Sequence, residues 1–330
     1  MSIPLGDCLT PEDFNAIGDC IAWGQGTDNT AAFQAAIDTG RRISLHHSTK
    51  TYRIGGVLRI PDYQQILGGG FSSGAPMGVE PGCARLVFDG GGDACFVNKN
   101  PTDKLRCVGI SGLNILCSDD YEAVMDFRTA ENLHLRDLMI EVVGDNTTGI
   151  VTKKAEPAED SWMNEAKTVI IRLPDTSNKW AFDVDWSDSL VDGCHFTGGK
   201  CAIDRGWGVR WTGNQFERSK MHGLHIYKTT ARKNSLVIGN SFDANTYCGI
   251  CIDATNDPIA SDHRFGISIT GNNFRTENPN GGAPGAASIY LSNNGSAQYH
   301  PGKISGNSEL NSDAVHLYLI NGNWVTPTTF

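Results

Sequence analysis

A six-residue phrase recurs along the chain, with large apolar residues at its first and last positions and Gly, Asp or Asn between them. Full copies begin at Ile110, Leu135, Val191, Trp211, Val237 and Ile269, and a truncated copy begins at Ile304. Successive copies start 25, 56, 20, 26, 32 and 35 residues apart, and the interval of 56 is about two periods. Such a period is typical of a solenoid, in which each repeat packs only on its neighbours. The pattern therefore predicts one continuous coil.

A short strand with alternating apolar residues follows several copies, at residues 223–227, 249–253, 288–292 and 314–318. Alternation with a period of two indicates a strand, and these segments contain no run with helical spacing. A repeat of strand, turn and strand predicts an all-β fold, the parallel β-helix. Gly in the phrase suits a bend with positive φ, and we expect Asn side chains stacked on successive turns to hydrogen-bond to one another.

The first 70 residues lack the phrase and contain a different signal. Residues 27–38 predict a short amphipathic helix with Thr27 or Asp28 as its N-cap. Its apolar face contains Phe33, Ala36 and Ile37. Because an unpaired strand edge recruits other chains, we expect this helix to cover the open end of the coil. The sequence thus divides into an N-terminal cap region with the first strands, residues 1–70, and one continuous domain of β-helix rungs, residues 71–330.

Composition excludes several classes of function. The chain has 330 residues and a net charge of -10, and no basic stripe that would neutralise nucleic-acid phosphates. No apolar stretch approaches the roughly 20 residues needed to cross a bilayer, so membrane insertion is not expected. No secretory signal is visible at the N-terminus. The ten cysteines are interpreted as lacking metal-type spacing and as mostly reduced, buried side chains, so neither a metal site nor a cofactor is predicted.

Residues 12–70 resemble the opening of right-handed β-helices of the pectate lyase superfamily. The resemblance lies in residues 13–19, 27–38, 52–54, 58–61 and 66–70. Such openings are common in bacteriophage tailspikes that cut bacterial surface polysaccharides. The resemblance implies a homotrimeric protein of the phage virion tail, assembled in the host cytoplasm next to other tail proteins and acting outside the cell. The implied substrate is a capsular or O-antigen polysaccharide.

The outward faces of the strands are where we expect the chemistry, because the core fills the inward faces. If Leu224 and Ile226 point inward, then His225 and Tyr227 point outward, and the same alternation places Asp253 on the outside.

Two earlier strands extend this alternation backwards along the chain. Asp183 and Asp185 are then expected on the outside. In the next strand, Cys201 and Ile203 are expected inside, and Asp204 outside. Carboxylates and aromatic side chains are thereby predicted to line one face of the coil.

The spacing of these carboxylates suggests a reaction. Adjacent parallel strands lie about 4.8 Å apart, which places Asp185 roughly 5 Å from Asp204, and Asp204 roughly 10 Å from Asp253. Glycoside hydrolases use two carboxyl groups about 5 to 5.5 Å apart for retention and about 6.5 to 9.5 Å apart for inversion. Close like charges also raise the pKa of one carboxyl group, which suits a general acid. The predicted catalytic residues are Asp204, Asp253 and Asp185.

A set of aromatic and polar residues near these carboxylates is predicted to bind the glycan. They are Tyr227, His225, Asp183, Arg205, Trp186 and Trp207. The rings of Tyr227, Trp186 and Trp207 are candidates for stacking on sugars, and His225 is a candidate for orienting a carboxyl or hydroxyl group.

Two alternative functions remain open. Lys153, Arg205, His225 and Tyr227 suit a polysaccharide lyase, in which a base starts β-elimination and a cation neutralises the uronate carboxylate. The other alternative is a non-catalytic β-helix of the virion that only binds glycan.

Overall fold

The computed structural model describes residues 8–45, 50–70, 84–118, 120–152, 161–227, 235–253, 267–275, 287–292, 304–309, 317–319 and 323–325. Most of these residues form short strands in three sheets, whose strand pairs are parallel except for the last two strands of one sheet. Each turn of the chain adds one strand beside the strand of the preceding turn. The predicted parallel β-helix is confirmed.

Sheet A contains the recurring phrases and has 19 strands within the described part of the chain. They are Cys8–Leu9, Arg42–Leu45, Thr51–Ile54, Gln65–Gly68, Arg85–Phe88, Gly109–Ser111, Asn114–Cys117, His134–Val142, Glu165–Arg172, Leu190–Asp192, His195–Thr197, Arg210–Thr212, Gln215–Glu217, Leu236–Ile238, Ser241–Asp243, Ser268–Thr270, Asn273–Arg275, Ile304–Ser305 and Ser308–Glu309.

Two further sheets complete the coil. Among the described residues, sheet B has 11 strands: Leu58–Ile60, Gly92–Asn98, Tyr121–Asp126, Thr148–Thr152, Trp180–Val184, Lys200–Asp204, His222–Tyr227, Cys248–Asp253, Ala287–Ser292, Leu317–Leu319 and Asn323–Val325. Sheet C has four strands in the part of the chain that the structure describes: Leu105–Arg106, Ala130–Glu131, Ser161–Trp162 and Trp186–Ser187.

The long interval between two copies of the phrase contains one further turn of the coil. Leu135 pairs with Ala166, and Ala166 pairs with Val191, so Ala166 occupies the first position of a copy that keeps the apolar last residue, Ile171, but lacks the Gly and Asn between them. The prediction that this interval holds two periods is therefore confirmed.

The third position of the phrase is a bend in the left-handed region. Gly213 and Gly239 have φ of 63° and 66°, a conformation that glycine adopts without steric cost. Asp137 and Thr168 take the place of glycine in two other copies and adopt φ of 51° and 54°. The backbone at this position is thus set by the coil, and glycine is the residue that strains it least.

A ladder of asparagine side chains runs inside the coil, as the sequence predicts. Asn214 donates from Nδ2 to Oδ1 of Asn240, Asn240 donates to Asn272, and Asn272 donates to Asn307, each over 2.9 Å. Each side chain in this series also donates to a backbone carbonyl of the turn, so the buried amides are hydrogen-bonded on both sides.

A stack of phenylalanine rings runs parallel to this ladder. The ring centroids of Phe196 and Phe216 lie 5.4 Å apart, those of Phe216 and Phe242 lie 4.8 Å apart, and those of Phe242 and Phe274 lie 5.0 Å apart. The last residue of the phrase therefore forms the centre of the core.

The predicted helix is present as Thr30–Asp38, preceded by a short 3-10 helix at Pro11–Phe14. Its apolar face is buried, since Phe33, Ala36 and Ile37 are at most 2% exposed. The predicted N-cap is wrong, because Asn29 occupies that position. Asp28 precedes it and accepts hydrogen bonds from the backbone N–H groups of Thr30 and Gly55.

The helix covers the first strand of sheet B, as expected. The Gln34 amide donates to the Arg59 carbonyl over 3.1 Å and accepts from the Arg59 N–H over 2.8 Å. Leu58–Ile60 is an edge strand, so these two bonds occupy backbone groups that are open to another chain. No helix in the described residues is long and apolar enough to cross a membrane.

Strands on both sides of residue 70 belong to the same sheets. Leu58–Ile60 pairs with Gly92–Asn98 in sheet B, and Gln65–Gly68 pairs with Gly109–Ser111 in sheet A. The hydrogen-bonded strand ladders of sheets A and B thus continue across residue 70. The division into two regions at this residue stays a prediction.

Candidate functional site

The outer face of sheet B contains a column of residues in register across five neighbouring strands. Asp183 pairs with Ile203, Ile203 with His225, His225 with Cys251, and Cys251 with Tyr290. Parallel partners lie about 4.8 Å apart, so side chains from successive turns of the coil meet on this face.

Asp204 lies inside the coil, so its predicted outward orientation is wrong. It pairs with Val184, and both residues are 0% exposed. The reason is local, because Cys201 and Ala202, which follow Lys200 in this strand, are both 0% exposed and both point inward in succession. This irregularity shifts the alternation by one position, and Ile203 takes the outward place that was assigned to Asp204.

Asp204 is held by donors from the interior. Its carboxylate accepts a hydrogen bond from the Gly206 N–H over 2.9 Å and another from the Trp211 indole N–H over 3.1 Å. A buried carboxylate is costly unless it is hydrogen-bonded, and these donors offset part of that cost. The contact ties the end of a sheet B strand to a phrase of sheet A, so we assign Asp204 to the scaffold. Asp204 is therefore absent from the outer face, where its pairs with Asp185 and Asp253 were predicted.

The two tryptophans of the predicted binding set lie on opposite sides of the backbone. Trp186 is 0% exposed and packs edge-on against Phe182, with ring centroids 5.3 Å apart, so the predicted sugar-facing position of Trp186 is wrong. Trp207 is 44% exposed and stays a predicted stacking residue. The backbone N–H of Trp207 donates to the Trp186 carbonyl, which holds Trp207 beside the sheet C strand Trp186–Ser187.

Arg205 brings together two other residues of the predicted binding set. Its Nε lies 2.8 Å from Oδ1 of Asp183, and its guanidinium carbon lies 5.0 Å from the ring centroid of Tyr227. Asp183 is 2% exposed, whereas the Arg205 side chain is 28% exposed. A charge-assisted hydrogen bond and a cation–π contact therefore fix one guanidinium on the outer surface.

Aromatic rings continue this surface towards the start of the strands. The ring centroid of His225 lies 5.5 Å from that of Tyr227 and 5.9 Å from that of Trp180, and Lys200 Nζ lies 5.6 Å from the Trp180 centroid. We call Arg205, Tyr227, His225, Trp180 and Lys200 the outer band. Trp180 and Lys200 are not among the predicted site residues, although each begins its strand in register with the other.

Two predicted catalytic residues lie at the ends of their strands. Asp185 follows Val184 and is half-buried. Asp253 pairs through its backbone with Tyr227, and its side chain lies outside the described residues, as does Lys153. Asp185 and Asp253 are three strand positions apart, which is roughly 14 Å and too far for the carboxyl pair of a glycosidase.

A cluster of imidazole and thiol groups borders the outer band, and its three members are absent from the predicted set. His222 Nδ1 lies 2.9 Å from Cys248 Sγ, and the ligand atoms of His222, Cys248 and Cys251 all lie within 4.8 Å of one another. The interpretation that the cysteines lack metal-type spacing is wrong here, because two residues separate Cys248 from Cys251, as in many zinc sites. This C-x2-C spacing is the signal that identifies the cluster.

The two thiols of this cluster differ in acidity. A hydrogen bond from Cys248, reinforced by bonds from His222 and His225, outweighs burial and lowers the pKa of Cys251 to about 4. Burial raises the pKa of Cys248 well above its ordinary value. The nine cysteines in the described residues carry free thiols.

Charged side chains also line an open cavity nearer the N-terminal end of sheet B. Arg59, Asp93, Asp126 and Arg128 line it, and Arg128 Nε lies 3.0 Å from Asp126 Oδ2. Arg59 and Asp126 both pair with Val97, so they belong to the outward column that continues to Asp183. The outer face of sheet B therefore has charged groups near its N-terminal end as well as at Asp183 and Arg205.

Solved structures share this fold at low sequence identity. The HK620 tailspike of an E. coli bacteriophage, as a mutant in complex with a hexasaccharide, superposes with a TM-score of 0.65 and 15% identity over 91% of this chain and 56% of the tailspike. The A-module of the mannuronan C-5 epimerase AlgE6 of Azotobacter vinelandii superposes with a TM-score of 0.51 and 11% identity, over 91% of this chain and 98% of the module. The resemblance to tailspike β-helices is confirmed for the fold.

No protein-family model matches the sequence, and no curated protein is similar enough in sequence to count as a relative. The chain spans little more than half of the HK620 tailspike, 56% of its length.

Proposed function

We propose that the protein binds a bacterial surface polysaccharide along the outer face of sheet B and cleaves it by hydrolysis. The observation that carries this proposal is the outer band, in which the cations Arg205 and Lys200 flank the rings of Tyr227, His225 and Trp180. Aromatic faces pack on the apolar faces of sugars, and a guanidinium binds acidic substituents. Two proteins of the same fold support a glycan ligand, since one structure contains a hexasaccharide and the other protein is a mannuronan epimerase.

Asp183 and Asp185 form the carboxyl pair that we propose for hydrolysis. They are successive outward residues of one chain segment, so their Cα atoms lie about 6.6 Å apart. Inverting glycosidases use carboxyl separations of about 6.5 to 9.5 Å, a range that two aspartate side chains can reach from this Cα spacing. We assign the activation of water to Asp183, which is ion-paired with Arg205, and the protonation of the leaving group to Asp185. Because Asp183 is 2% exposed, substrate has to draw the guanidinium aside before water reaches the carboxylate.

Conservative variants test this assignment. Asp183→Asn and Asp185→Asn are each expected to lower cleavage of a capsular or O-antigen polysaccharide by about 10²-fold or more, the usual effect of losing a general acid or base. Asp175→Asn is the matched control, because its carboxylate is 67% exposed and lies outside the outer band. Proton NMR of the first product should show an inverted anomeric centre. Full activity in both active-site variants would remove the assignment, and binding without cleavage by the unmodified protein favours the non-catalytic alternative.

The contact between Arg205 and Tyr227 supports the lyase as second candidate. A guanidinium 5.0 Å from a phenol ring can neutralise a uronate carboxylate while the phenol oxygen removes the adjacent proton. Elimination creates a conjugated double bond, so lyase products absorb ultraviolet light and Tyr227→Phe abolishes their formation. A digest that yields new reducing ends without this absorption rejects the lyase.

We propose a virion tail as the location of the protein and a homotrimer as its assembly, on the basis of the tailspike resemblance. Light scattering on the purified protein measures the mass of the assembly directly. A monomer at every concentration tested contradicts the trimer and leaves the assignment of the outer band to be tested separately.

A further inference from the structure

Two neighbouring strands of sheet B present the same spacing of metal-binding side chains. One strand contains His222 and His225, the next contains Cys248 and Cys251, and His222 pairs with Cys248 while His225 pairs with Cys251. The four residues therefore stand at the corners of a small quadrilateral, with sides of about 4.8 Å between the strands.

The local backbone explains why residues three positions apart share one face. Gly223 and Leu224 both point into the coil, since a Cβ on Gly223 would lie 2.7 Å from a ring carbon of Phe242 and Leu224 is 0% exposed. The next strand repeats this with Gly249, whose added Cβ would lie 2.5 Å from the Phe274 ring. Two inward residues in succession leave the histidines of one strand and the cysteines of the other on the outside.

The distances between the donor atoms suit one metal ion. Tetrahedral zinc has Zn–S bonds of about 2.3 Å and Zn–N bonds of about 2.0 to 2.1 Å, which place its ligand atoms roughly 3.3 to 3.8 Å apart. The ligand atoms of His222, Cys248 and Cys251 lie within 4.8 Å of one another, so small side-chain rotations bring them to these distances. His225 lies beside these three, with its ring centroid 5.2 Å from that of His222, and is the candidate for a fourth ligand.

Three of the four residues are buried, and His222 is half-buried. Cys248 is 1% exposed, Cys251 is 3% exposed and His225 is 9% exposed, and Tyr290 packs against the two cysteines. Two thiolates balance the charge of a divalent ion, and the soft sulfur atoms favour zinc over the hard cations calcium and magnesium.

We propose that His222, His225, Cys248 and Cys251 form a closed Cys2His2 site for a thiophilic divalent ion, with Zn²⁺ as its occupant. Binding joins four donor atoms to the ion and releases the displaced thiol protons to solvent. The ion then cross-links two turns of the coil and fixes the His225 ring beside Tyr227 in the outer band. This inference does not depend on cleavage of any glycan.

Metal content and cobalt spectroscopy test the site in the full chain. Protein purified without chelator and dialysed against Zn²⁺ should hold one zinc per chain. Replacement by Co²⁺ should give the thiolate-to-cobalt charge-transfer band and the intense visible bands of a tetrahedral centre. Cys251→Ser and His222→Ala should each weaken zinc binding by more than about 100-fold, because even the loss of an outer-shell partner costs 10- to 100-fold.

Matched controls come from residues of the same types elsewhere in the coil. Cys107→Ser removes a half-buried thiol and His134→Ala removes a 43% exposed imidazole, and both should leave zinc binding unchanged. Alkylation of the unmodified protein gives an answer that needs no folded variant. Because both thiols are buried even without an ion, the reaction is run in a urea concentration that loosens the coil; zinc should then slow alkylation of Cys248 and Cys251 by iodoacetamide relative to chelator, while Cys107 reacts equally in both states.

Three outcomes overturn the proposal. One is zinc binding that persists in the Cys248→Ser/Cys251→Ser double variant. Another is alkylation of Cys248 and Cys251 at a rate that zinc does not change. The third is a disulfide between them, recognised as a peptide lighter by two hydrogens, in protein purified under reducing conditions.

Discussion

Asn240→Ala is expected to destabilise the coil strongly, because Asn240 is the central link of the asparagine ladder. Its Nδ2 donates to the carbonyl of Trp211 and to Oδ1 of Asn272, each over 2.9 Å. Its Oδ1 accepts from both the backbone N–H and the Nδ2 of Asn214, each over 2.9 Å. The residue is 0% exposed, so water does not replace these partners.

The magnitude follows from these four hydrogen bonds. A buried hydrogen bond contributes about 1 kcal/mol net, and a donor or acceptor left unpaired costs about 1 to 3 kcal/mol. The Asn214 N–H loses its side-chain acceptor, whereas Oδ1 of Asn272 still accepts from the Asn240 backbone N–H over 2.9 Å. We therefore expect the free energy of unfolding to fall by about 3 to 5 kcal/mol.

Asn307→Ala is the matched comparison, since Asn307 is a half-buried member of the same ladder. Its side chain makes three bonds, two accepted from Asn272 and one donated to Ile269, and water can replace part of them. We expect a loss of about 1 to 2 kcal/mol for this variant.

Urea unfolding followed by both tryptophan fluorescence and far-ultraviolet circular dichroism measures these losses. Two probes are needed because a solenoid can unfold in parts, and hydrogen exchange by mass spectrometry then locates the loosened turns. The Asn214 amide should exchange faster in Asn240→Ala. A loss below about 0.5 kcal/mol, within the range of ordinary surface substitutions, would refute the reasoning, as would equal losses in the two variants.

Substitutions at three further positions test other parts of the scaffold. In Asp204→Asn, either orientation of the amide turns its NH₂ group towards one of the two donors, the Gly206 N–H or the Trp211 indole N–H. We therefore expect about 1 to 3 kcal/mol of destabilisation in urea and no change in glycan cleavage by the folded protein. Gln34→Ala exposes the edge of sheet B and should increase dimers or aggregates on size-exclusion chromatography, whereas Gln34→Glu, which keeps the acceptor, should do so less. Burial raises the pKa of Glu165, but hydrogen bonds from Arg136 and His134 outweigh it and lower the pKa below the ordinary 4.5. The stabilisation by the ionised Glu165 carboxylate is present above the pKa of this group in the unfolded chain, and it is lost as the pH falls through its lower pKa in the folded protein. In Glu165→Gln, the melting temperature should therefore fall less steeply as the solution is acidified. A fall as steep as that of the unmodified protein contradicts this prediction.

The outer band and the proposed zinc site share His225, which gives the two proposals a common consequence. If zinc fixes the His225 ring, removal of zinc should weaken glycan binding through Tyr227 without altering the ion pair of Arg205 with Asp183. Binding of a polysaccharide fragment with and without chelator measures this coupling.

The register of sheet A could be predicted because the phrase repeats residues with distinct physical roles. Gly213 and Gly239 mark the bend, Asn240 marks the ladder, and Phe242 marks the core. The turn that begins at Ala166 was recognisable only as a gap of two periods, because Thr168 replaces the glycine and no Asn follows.

The predicted register of sheet B was wrong at one strand, because strict alternation of inward and outward residues assumes a regular pleat. Cys201 and Ala202 both pack inside, and no residue type in that strand identifies the irregularity. The prediction therefore placed Asp204 on the outer face and Ile203 in the core, which is the reverse of their positions in the structure. The same irregularity brings His222 and His225 onto one face.

The sequence by itself determined the kind of fold, since periodic apolar residues, bend glycines and stacked asparagines act between neighbouring turns and repeat visibly along the chain. The tertiary structure decided which side chains meet on the outer face, because residues such as Arg205, Trp180 and Cys248 come from different turns and their directions depend on single-residue irregularities. A coil built from a two-residue alternation tolerates such a shift in its backbone, yet each shift reverses the face on which a side chain lies.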